Sequence, residues 1–581
     1  MLTYSFEDRG GESLYGHLYR CIRRDIESGA IPAHAKLPSK RAFARHLGVS
    51  LITVEGAYTQ LVAEGYVRSV PRTGYFANPL ALPQAMRRGS GGGTLEGGAG
   101  TEAPARAEAA GAATDARAGV SGSMAGTGVA GHAARGAAAA GAVAQAGSAS
   151  VRDGARPDDA ACPLVADLAA GSVATGLFPY ALWAKTLRDV LAHESERTLL
   201  GETSAFGSLR LREALAAHLR AFRGLEADPA QIVVASGSQT VYNLIVQLLG
   251  RTRRFAVEDP GYPRLTSIYR ANDVPLSHVP MDAAGMDVAA LRASGASVAH
   301  LMPSHQFPTG LVTPVSRRYE LLGWAAEEPG RYLVEDDYDC EFRLAGRPIP
   351  AMKSIDAVDR VVYVNTFARS LGLSFRIAYA VLPAHLAERF RSALGFYSCT
   401  VSTMEQLVLA RFIEHGDFER HVNRMRSHYR AVKGALVEAL AASPAGDRMT
   451  VEGADAGLHF LLRVASPASE ERLVAAARQE GVALAPLSAF RLGGEAGGGK
   501  ASDEAAGKAD GNVMAGSAGG LGAETAGALG PDGARGRAVE TSSESDAVRS
   551  FVVSYGGLPL ASVAETAAAL ARAVEAAERA C

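Results

Sequence analysis

The chain has 581 residues and carries 59 Lys and Arg residues against 61 Asp and Glu residues, a net charge of −2. This length is too great for one ordinary core and predicts at least two domains, and the balanced charge excludes a chain that binds nucleic acid over its whole surface. The five scattered cysteines predict reduced thiols in a cytoplasmic protein and no metal site, and no apolar run is long enough to cross a bilayer.

Residues 1–78 are predicted to form the first domain, with ten Lys and Arg residues against seven Asp and Glu residues, a surplus of three positive charges. An apolar residue at every fourth position predicts the first helix: Leu14, Leu18, Ile22 and Ile26. Ser39 and Ser50 are suitable N-caps for two further helices, and Gly48 ends the first of these two. The segment YVRSVPRTGYF then predicts a two-stranded hairpin.

Three helices followed by a hairpin are typical of small domains that lay a helix in the DNA major groove. The motifs LPSKR, LGVS, EGY and GYF occur in the order of the GntR winged helix-turn-helix, which this segment resembles. Leu51 stands where members often carry Arg, so a transferred operator sequence is not expected. The predicted DNA contacts are Lys40, Arg41, Ser50, Leu51, Thr53, Arg68 and Arg72.

Two tracts rich in Ala and Gly divide the rest of the chain. Residues 79–160 are predicted to be a disordered linker, because such a composition cannot bury enough apolar surface to fold alone. Residues 493–547 lie between two strand-like runs and are predicted to be a low-complexity surface insertion.

Residues 161–581 are predicted to form an α/β domain with a mostly parallel sheet, since apolar runs alternate there with helical stretches. QIVVASGSQTVYNLIVQLL indicates a strand, a small-residue turn and a helix, whose free amides favour a phosphate. FAVEDPGYPRL, LMPSHQFPTG, RYLVEDDYDCEFR, VVYVNTFARSLGLSFRIAYAVLP and FERHVNRMRSHYR follow in order. This set resembles fold-type I aminotransferases and, with the first domain, the MocR subfamily of GntR regulators.

The resemblance implies a site for pyridoxal 5′-phosphate (PLP). Asp336 is expected to face the pyridine nitrogen, Tyr338 the ring hydroxyl and Tyr262 the ring face. The phosphate is expected among Gly237, Ser238, Gln239, Thr366 and Arg376. His305 is equally compatible with a ligand role and a structural one. Glu335 and Asp337 are expected to be paired or solvated carboxylates.

Arg369 departs from the family pattern. In the sequence Thr366-Phe367-Ala368-Arg369-Ser370-Leu371 it stands where the family has the lysine that forms a Schiff base with PLP. A guanidinium stays protonated and cannot act as the amine nucleophile, so no catalytic residue is assigned. The other lysines of this domain are Lys185, Lys353, Lys433, Lys500 and Lys508, and Lys353 is expected to be exposed.

The sequence therefore predicts a regulator rather than an enzyme, acting as a homodimer on double-stranded DNA with a small-molecule effector. PLP is expected to bind noncovalently or to have been lost. The alternatives are an active PLP-dependent aminotransferase and a ligand-independent DNA-binding dimer. Val552 aligns with the arginine that grips a substrate carboxylate in many aminotransferases, so amino-acid capture is not expected.

Overall fold

The computed structural model describes residues 2–4, 6, 12–80, 164–344, 349–454, 456–493 and 548–579. The predicted linker from residue 81 onward and the predicted insertion from residue 494 onward lie outside these ranges. The domain boundaries set at those tracts therefore stay predictions.

The described chain contains helices and strands with the following bounds. The helices are α1 (Leu14–Glu27), α2 (Lys40–Leu47), α3 (Leu51–Ala63), α4 (Tyr180–His193), α5 (Glu196–Leu200), α6 (Leu209–Arg223), α7 (Ser238–Leu249), α8 (Pro263–Ala271), α9 (Val288–Ala293), α10 (Val315–Glu327), α11 (Ala384–Leu394), α12 (Thr403–Glu414), α13 (Asp417–Ala441), α14 (Glu470–Gln479) and α15 (Val563–Arg579). The strands are β1 (Val67–Val70), β2 (Gly74–Ala77), β3 (Ala166–Asp167), β4 (Ile232–Ala235), β5 (Phe255–Asp259), β6 (Leu276–Asp282), β7 (Gly285–Met286), β8 (Val298–Leu301), β9 (Tyr332–Asp336), β10 (Val361–Thr366), β11 (Ala378–Val381), β12 (Met449–Glu452), β13 (His459–Ala465), β14 (Val482–Ala483), β15 (Ala485–Pro486) and β16 (Val548–Ser554).

The first three helices and the β1–β2 hairpin form a winged helix-turn-helix, as the sequence predicts. The side chains of Ser39 and Ser50 accept hydrogen bonds from backbone amides in the first turns of α2 and α3, and Gly48 ends α2 in the left-handed region. The wing is antiparallel, with Val67 opposite Ala77 and Val70 opposite Gly74. Its core is fully buried and includes Leu18, Ile22, Phe43, Val54, Ala57, Tyr58 and Leu61.

An eight-stranded sheet forms the centre of the second unit, in the order β4-β11-β10-β9-β8-β5-β6-β7. Only β11 and β7 run against the other six strands. The central strands are apolar on both faces because helices cover both sides of the sheet, as is usual for parallel strands. The carboxyl ends of β4, β5, β8, β9 and β10 therefore meet at one edge, where ligands bind in open α/β sheets.

The carboxyl-terminal part adds a four-stranded sheet in the order β12-β13-β16-β15. Val552 of β16 pairs with Leu461 of β13 and is buried in a small apolar cluster with Phe490, Ala485 and Phe307. Val552, which aligns with the substrate-binding arginine of many aminotransferases, thus lies in an apolar cluster. No helix in the described ranges is long and apolar enough to cross a membrane.

The winged helix-turn-helix packs directly on α10, and we call this contact the joint. The amide of Val315 donates to the carbonyl of Glu64 at 2.9 Å, and a Cβ placed on Gly65 would lie 2.8 Å from Cβ of Pro314. The hydroxyl of Tyr319 donates to the Glu27 carboxylate at 3.2 Å. Apolar residues of both units share one continuous buried core.

Candidate ligand pocket and DNA-binding surface

A cavity of about 140 Å³, open to solvent, lies at the edge where the parallel strands end. Seven of the eight residues predicted to bind the cofactor line it: Ser238, Gln239, Tyr262, Asp336, Tyr338, Thr366 and Arg376. They come together because they lie just after or at the carboxyl ends of β4, β5, β9 and β10, or just before the antiparallel strand β11. The eighth residue, Gly237, lies just behind the wall and contacts Arg376.

Asp336 forms the floor of this pocket at the end of β9. Its side chain is buried, and Oδ2 accepts a hydrogen bond from the hydroxyl of Tyr242 at 2.5 Å. Nε2 of His300 lies 3.5 Å from the same oxygen. Oδ1 of Asp336 has no hydrogen-bond partner among the described residues. A buried carboxylate oxygen without a donor is costly, so this atom is suited to a ligand that brings an N–H group.

The first residues of α7 and Arg376 also line the pocket. Gly237 precedes α7 with φ +80°, and a Cβ there would lie 2.6 Å from Nη2 of Arg376. Only glycine therefore allows the guanidinium to approach the first turn of the helix. Free amides, the helix dipole and an adjacent guanidinium together favour an anion such as a phosphate.

Two tyrosines flank the pocket. Burial raises the pKa of Tyr262, while the guanidiniums of Arg264 and Arg369 lower it. Tyr262 makes an edge-to-face contact with Phe307, with ring centroids 5.7 Å apart. Burial also raises the pKa of Tyr338 well above its ordinary value, so both phenols stay protonated and able to donate.

Behind Tyr338 lies a buried cluster of His305, Asp339 and His459. Nδ1 of His305 lies 2.8 Å from the Asp339 carboxylate and 3.3 Å from the Tyr338 hydroxyl. The rings of His305 and His459 are 4.3 Å apart, and burial lowers the pKa of His459 well below its ordinary value. The cluster thus contacts the hydroxyl of Tyr338. His305 thus has a structural contact, and its ligand role stays a prediction.

Arg369 lines the same pocket and is half-buried. Its Nη1 donates to the carbonyl of Gly171, and a Cβ on Gly171 would lie 2.6 Å from Nη2. Because Gly171 has no side chain, the guanidinium of Arg369 can occupy this space. No carboxylate of the described residues lies within ion-pair distance of this guanidinium.

The lysines offer no replacement at this pocket. Lys353 was predicted to be exposed, and this prediction was wrong: its side chain is only 8% exposed. The aliphatic stem is buried near the start of β10, and Nζ donates to the carbonyl of Val361 at 2.8 Å. Nζ of Lys433 donates to Ala454, and Lys185 is exposed. None of the three lines the cavity. Lys500 and Lys508 lie outside the described residues.

Both carboxylates beside Asp336 are paired, which is one of the two expected outcomes. Asp337 forms a buried ion pair with Arg223 at 2.7 Å. Glu335 accepts hydrogen bonds from the backbone amides of Met352 and Lys353. Oδ1 of Asp337 also lacks a hydrogen-bond partner among the described residues, but Asp336 is the carboxylate of the three that lines the pocket.

The predicted DNA-contacting residues differ in how exposed their side chains are and in whether they already bond other residues. Arg41, Leu51 and Arg72 are exposed, with Arg72 at the wing tip in the left-handed region at φ +61°. Ser50 is exposed but already caps α3. Leu51 is 41% exposed and Ile52, which was not predicted, is 79% exposed.

Three predicted contacts are already engaged within the protein. Lys40 pairs with Glu55 at 2.6 Å, and Arg68 donates to Asn78 at 3.1 Å. Thr53 was expected to be exposed, and this was wrong: it is 9% exposed, and its amide and hydroxyl bond the Ser50 side chain. The cap turns Thr53 inward and leaves Ile52 facing outward.

Comparison with known proteins assigns the chain to a family. Residues 14–76 match the family of bacterial regulatory proteins called gntR. The chain is 32% identical to the uncharacterized HTH-type transcriptional regulator YhdI of Bacillus subtilis, over 84% of this chain and 91% of the relative. It is 30% identical to the probable rhizopine catabolism regulatory protein MocR of Rhizobium meliloti, over 82% and 86%. The chain belongs to the MocR subfamily of GntR-type transcription regulators.

The fold of the second unit is also found in known structures. The multiple substrate aminotransferase from Thermococcus profundus matches with a TM-score of 0.57 and 22% identity, over 73% of this chain and 94% of that chain. This MocR-type regulator thus combines a GntR domain, which binds double-stranded DNA, with an aminotransferase-like domain.

Sequence reasoning missed several residues of the pocket in this MocR-type regulator. Tyr242, Arg264, Met302 and Phe307 also line it. Tyr242 lies one helical turn after Ser238 on α7, and this spacing alone could have indicated that it faces the same cavity. The approach of Phe307 depends on tertiary packing.

Proposed function

We propose that this MocR-type regulator senses PLP, or a closely related phosphorylated pyridine, by reversible noncovalent binding in its aminotransferase-like domain. Binding changes how a homodimer presents its two winged helices to paired DNA half-sites. The observation that carries the proposal is the unused oxygen of Asp336 facing a pocket in which Arg369 replaces the lysine.

The donor set of the pocket fits such a ligand. Asp336 would accept a hydrogen bond from a protonated ring nitrogen through Oδ1, which has no other partner in the described chain. The first turn of α7 and Arg376 would bind the phosphate across the glycine-lined approach at Gly237. Tyr262 would pack on the ring, and Tyr338 would donate to its hydroxyl group. PLP, when bound, supplies an electrophilic carbon and an electron-withdrawing ring.

Arg369 argues against the enzyme alternative. Covalent catalysis with PLP needs a lysine amine that can lose its proton, and a guanidinium keeps its proton in proteins. The described lysines all lie off the pocket wall. We therefore propose a binding site without covalent chemistry rather than an active aminotransferase.

One loop offers a path by which a ligand affects the winged helix. Met302 and Phe307 line the pocket, and the same loop continues to Pro314 and Val315 at the joint. The buried guanidinium of Arg318 fixes both ends of this loop, because it donates to the carbonyls of Pro303 and Thr313. A ligand that shifts the pocket end would therefore shift the position of Val315 against Glu64.

Operator binding measured with and without PLP tests the proposal. The probe is a DNA fragment enriched by in vitro selection with the purified full-length protein, and the readout is fluorescence anisotropy. We expect PLP to change operator affinity in the wild type and to have no effect in Asp336→Ala. Sedimentation should give a dimer. PLP binding without any change in DNA affinity would overturn the sensing proposal and favour a ligand-independent DNA-binding dimer.

A further inference from the structure

The pocket carries more positive charge than a single phosphate requires. Three guanidiniums line it, from Arg264, Arg369 and Arg376, against the one carboxylate of Asp336. None of the three guanidiniums forms an ion pair with a carboxylate of the described residues. Arg264 and Arg376 are exposed and Arg369 is half-buried, so the three guanidiniums together make the pocket attractive to an anion.

Arg369 lies at a different part of the pocket from Arg376, and this position suggests a different role. Arg376 lies against the turn before α7, at the proposed phosphate end. Arg369 lies on the loop after β10, and its guanidinium is held by the carbonyl of Gly171 through one nitrogen only. Guanidinium carries five N–H donors, so donors remain that can meet a second acidic group.

We propose that Arg369 selects a phosphorylated pyridine that carries a carboxylate at ring position 4, as in 4-pyridoxic acid 5′-phosphate. This inference rests on the proposed function, because it requires the ring nitrogen at Asp336 and the phosphate near Arg376. Ring position 4 lies opposite the nitrogen, so its substituent points away from Asp336 toward the wall where the family has its lysine and this chain has Arg369.

The charge of the position 4 substituent decides the selectivity. A carboxylate can accept two parallel hydrogen bonds from a guanidinium, which is the strongest common pairing in proteins. An aldehyde accepts a weaker, neutral bond. An ammonium group, as in pyridoxamine 5′-phosphate, is repelled by the same guanidinium. Phe307, which also lines the pocket, packs in an apolar cluster with Val552 and Phe490.

The test measures equilibrium binding of three ligands to the full-length protein by titration calorimetry. The ligands are 4-pyridoxic acid 5′-phosphate, PLP and pyridoxamine 5′-phosphate, which share the ring and the phosphate. We expect the acid to bind wild type on the order of 10- to 100-fold more tightly than the amine, from one charge-assisted bidentate pair. PLP should fall between them.

Two variants make the test specific. Arg369→Gln should abolish the preference for the acid, whereas Arg389→Gln, the same change at an exposed arginine on α11, should retain it. Melting temperatures of both variants check that the fold is intact.

Each outcome has a distinct meaning. Equal affinity for acid and amine in the wild type, or a preference that survives Arg369→Gln, would overturn the inference and leave the proposed function standing. Failure of all three ligands to bind would instead overturn the proposed function itself.

Discussion

The joint and the ligand pocket both contain buried ionisable groups. At the joint these groups are paired within the protein, whereas in the pocket some of their polar atoms lack partners. At the joint, Glu64 accepts hydrogen bonds from the hydroxyl of Tyr19 and the amide of Gln60, and Glu27 accepts from the hydroxyls of Tyr66 and Tyr319. In the pocket, Oδ1 of Asp336 has no donor among the described residues. Arg369, which also lines the pocket, forms no ion pair with a carboxylate of the described residues.

This difference in pairing indicates which buried groups stabilise the structure and which are available to a ligand. Buried polar groups in native proteins are almost always paired, and a pair satisfied by the protein itself holds a contact together. A group left unsatisfied is expected where a ligand completes it. The joint is therefore held together by the protein's own groups, whereas the pocket leaves groups for a ligand to satisfy.

The largest expected effect comes from removing the floor of the pocket. Asp336→Ala should weaken binding of PLP at least about 100-fold, because the charged acceptor for the ring nitrogen is lost. Asp337→Ala is a poor control since Asp337 pairs with the buried Arg223. Asp189→Ala, a half-buried acid on α4 outside the pocket, is the matched control and should bind normally. Unchanged PLP affinity in Asp336→Ala would mean that the open oxygen is not a ligand contact.

At the joint, two glycines allow a matched comparison. Gly65 and Gly29 both have φ +80°, but a Cβ on Gly65 meets Pro314 at 2.8 Å, whereas nothing lies within 4 Å of a Cβ on Gly29. Both alanine variants should lose about 1 kcal/mol from backbone strain. Gly65→Ala should in addition open the joint and reduce the effect of ligand on DNA binding.

Hydrogen exchange at the Val315 amide is the readout for the joint. Exchange should be faster in Gly65→Ala than in Gly29→Ala and wild type, because the bond from Val315 to Glu64 is broken. Equal protection in the two variants would show that this contact is not held by close packing at Gly65.

Glu258 bonds the loop that links the two regions and makes stability depend on pH. Burial raises its pKa to about 8, while it accepts hydrogen bonds from the amide of Met302 and the side chain of Gln306. Between its unfolded and folded pKa values the folded state binds more protons than the unfolded state. This contribution to stability is complete at low pH and is lost as the pH rises to 8.

Glu258→Gln should therefore stabilise the protein more at pH 8 than at pH 6, by on the order of 1 to 2 kcal/mol in free energy of unfolding. Denaturant melts of variant and wild type at the two pH values measure this difference. A variant that is equally stabilised, or destabilised, at both would contradict a protonated Glu258.

The smallest expected effects concern the DNA surface. Arg41→Ala and Arg72→Asn should each weaken operator binding about 3- to 10-fold and reduce its salt dependence, because each removes one exposed charge from the predicted interface. Asn is chosen at residue 72 because it tolerates the left-handed region better than Ala does. Arg389→Ala should bind operator as wild type does. Unchanged affinity in both variants would remove these residues from the interface.

The pocket could be predicted from the sequence, and the joint could not. Asp336, Thr366 and Ser238 lie where strands end or helices begin, and parallel topology alone brings such positions to one edge. The contact of Glu64 with Val315 joins residues far apart in the chain, and no local pattern marks it. The sequence pattern also gave the wrong exposure for two residues. Thr53 turns inward to bond the Ser50 cap, and the aliphatic stem of Lys353 is buried.

The most direct test of noncovalent binding treats the full-length protein with one equivalent of PLP, reduces it with borohydride and records its intact mass. A parallel sample is dialysed without reduction. We predict that PLP binds, is removed by dialysis and leaves no adduct in the wild type, whereas Arg369→Lys gives a stable adduct. An adduct on the wild-type chain that is absent from Asp336→Ala would show that another lysine serves this pocket, and would contradict the account.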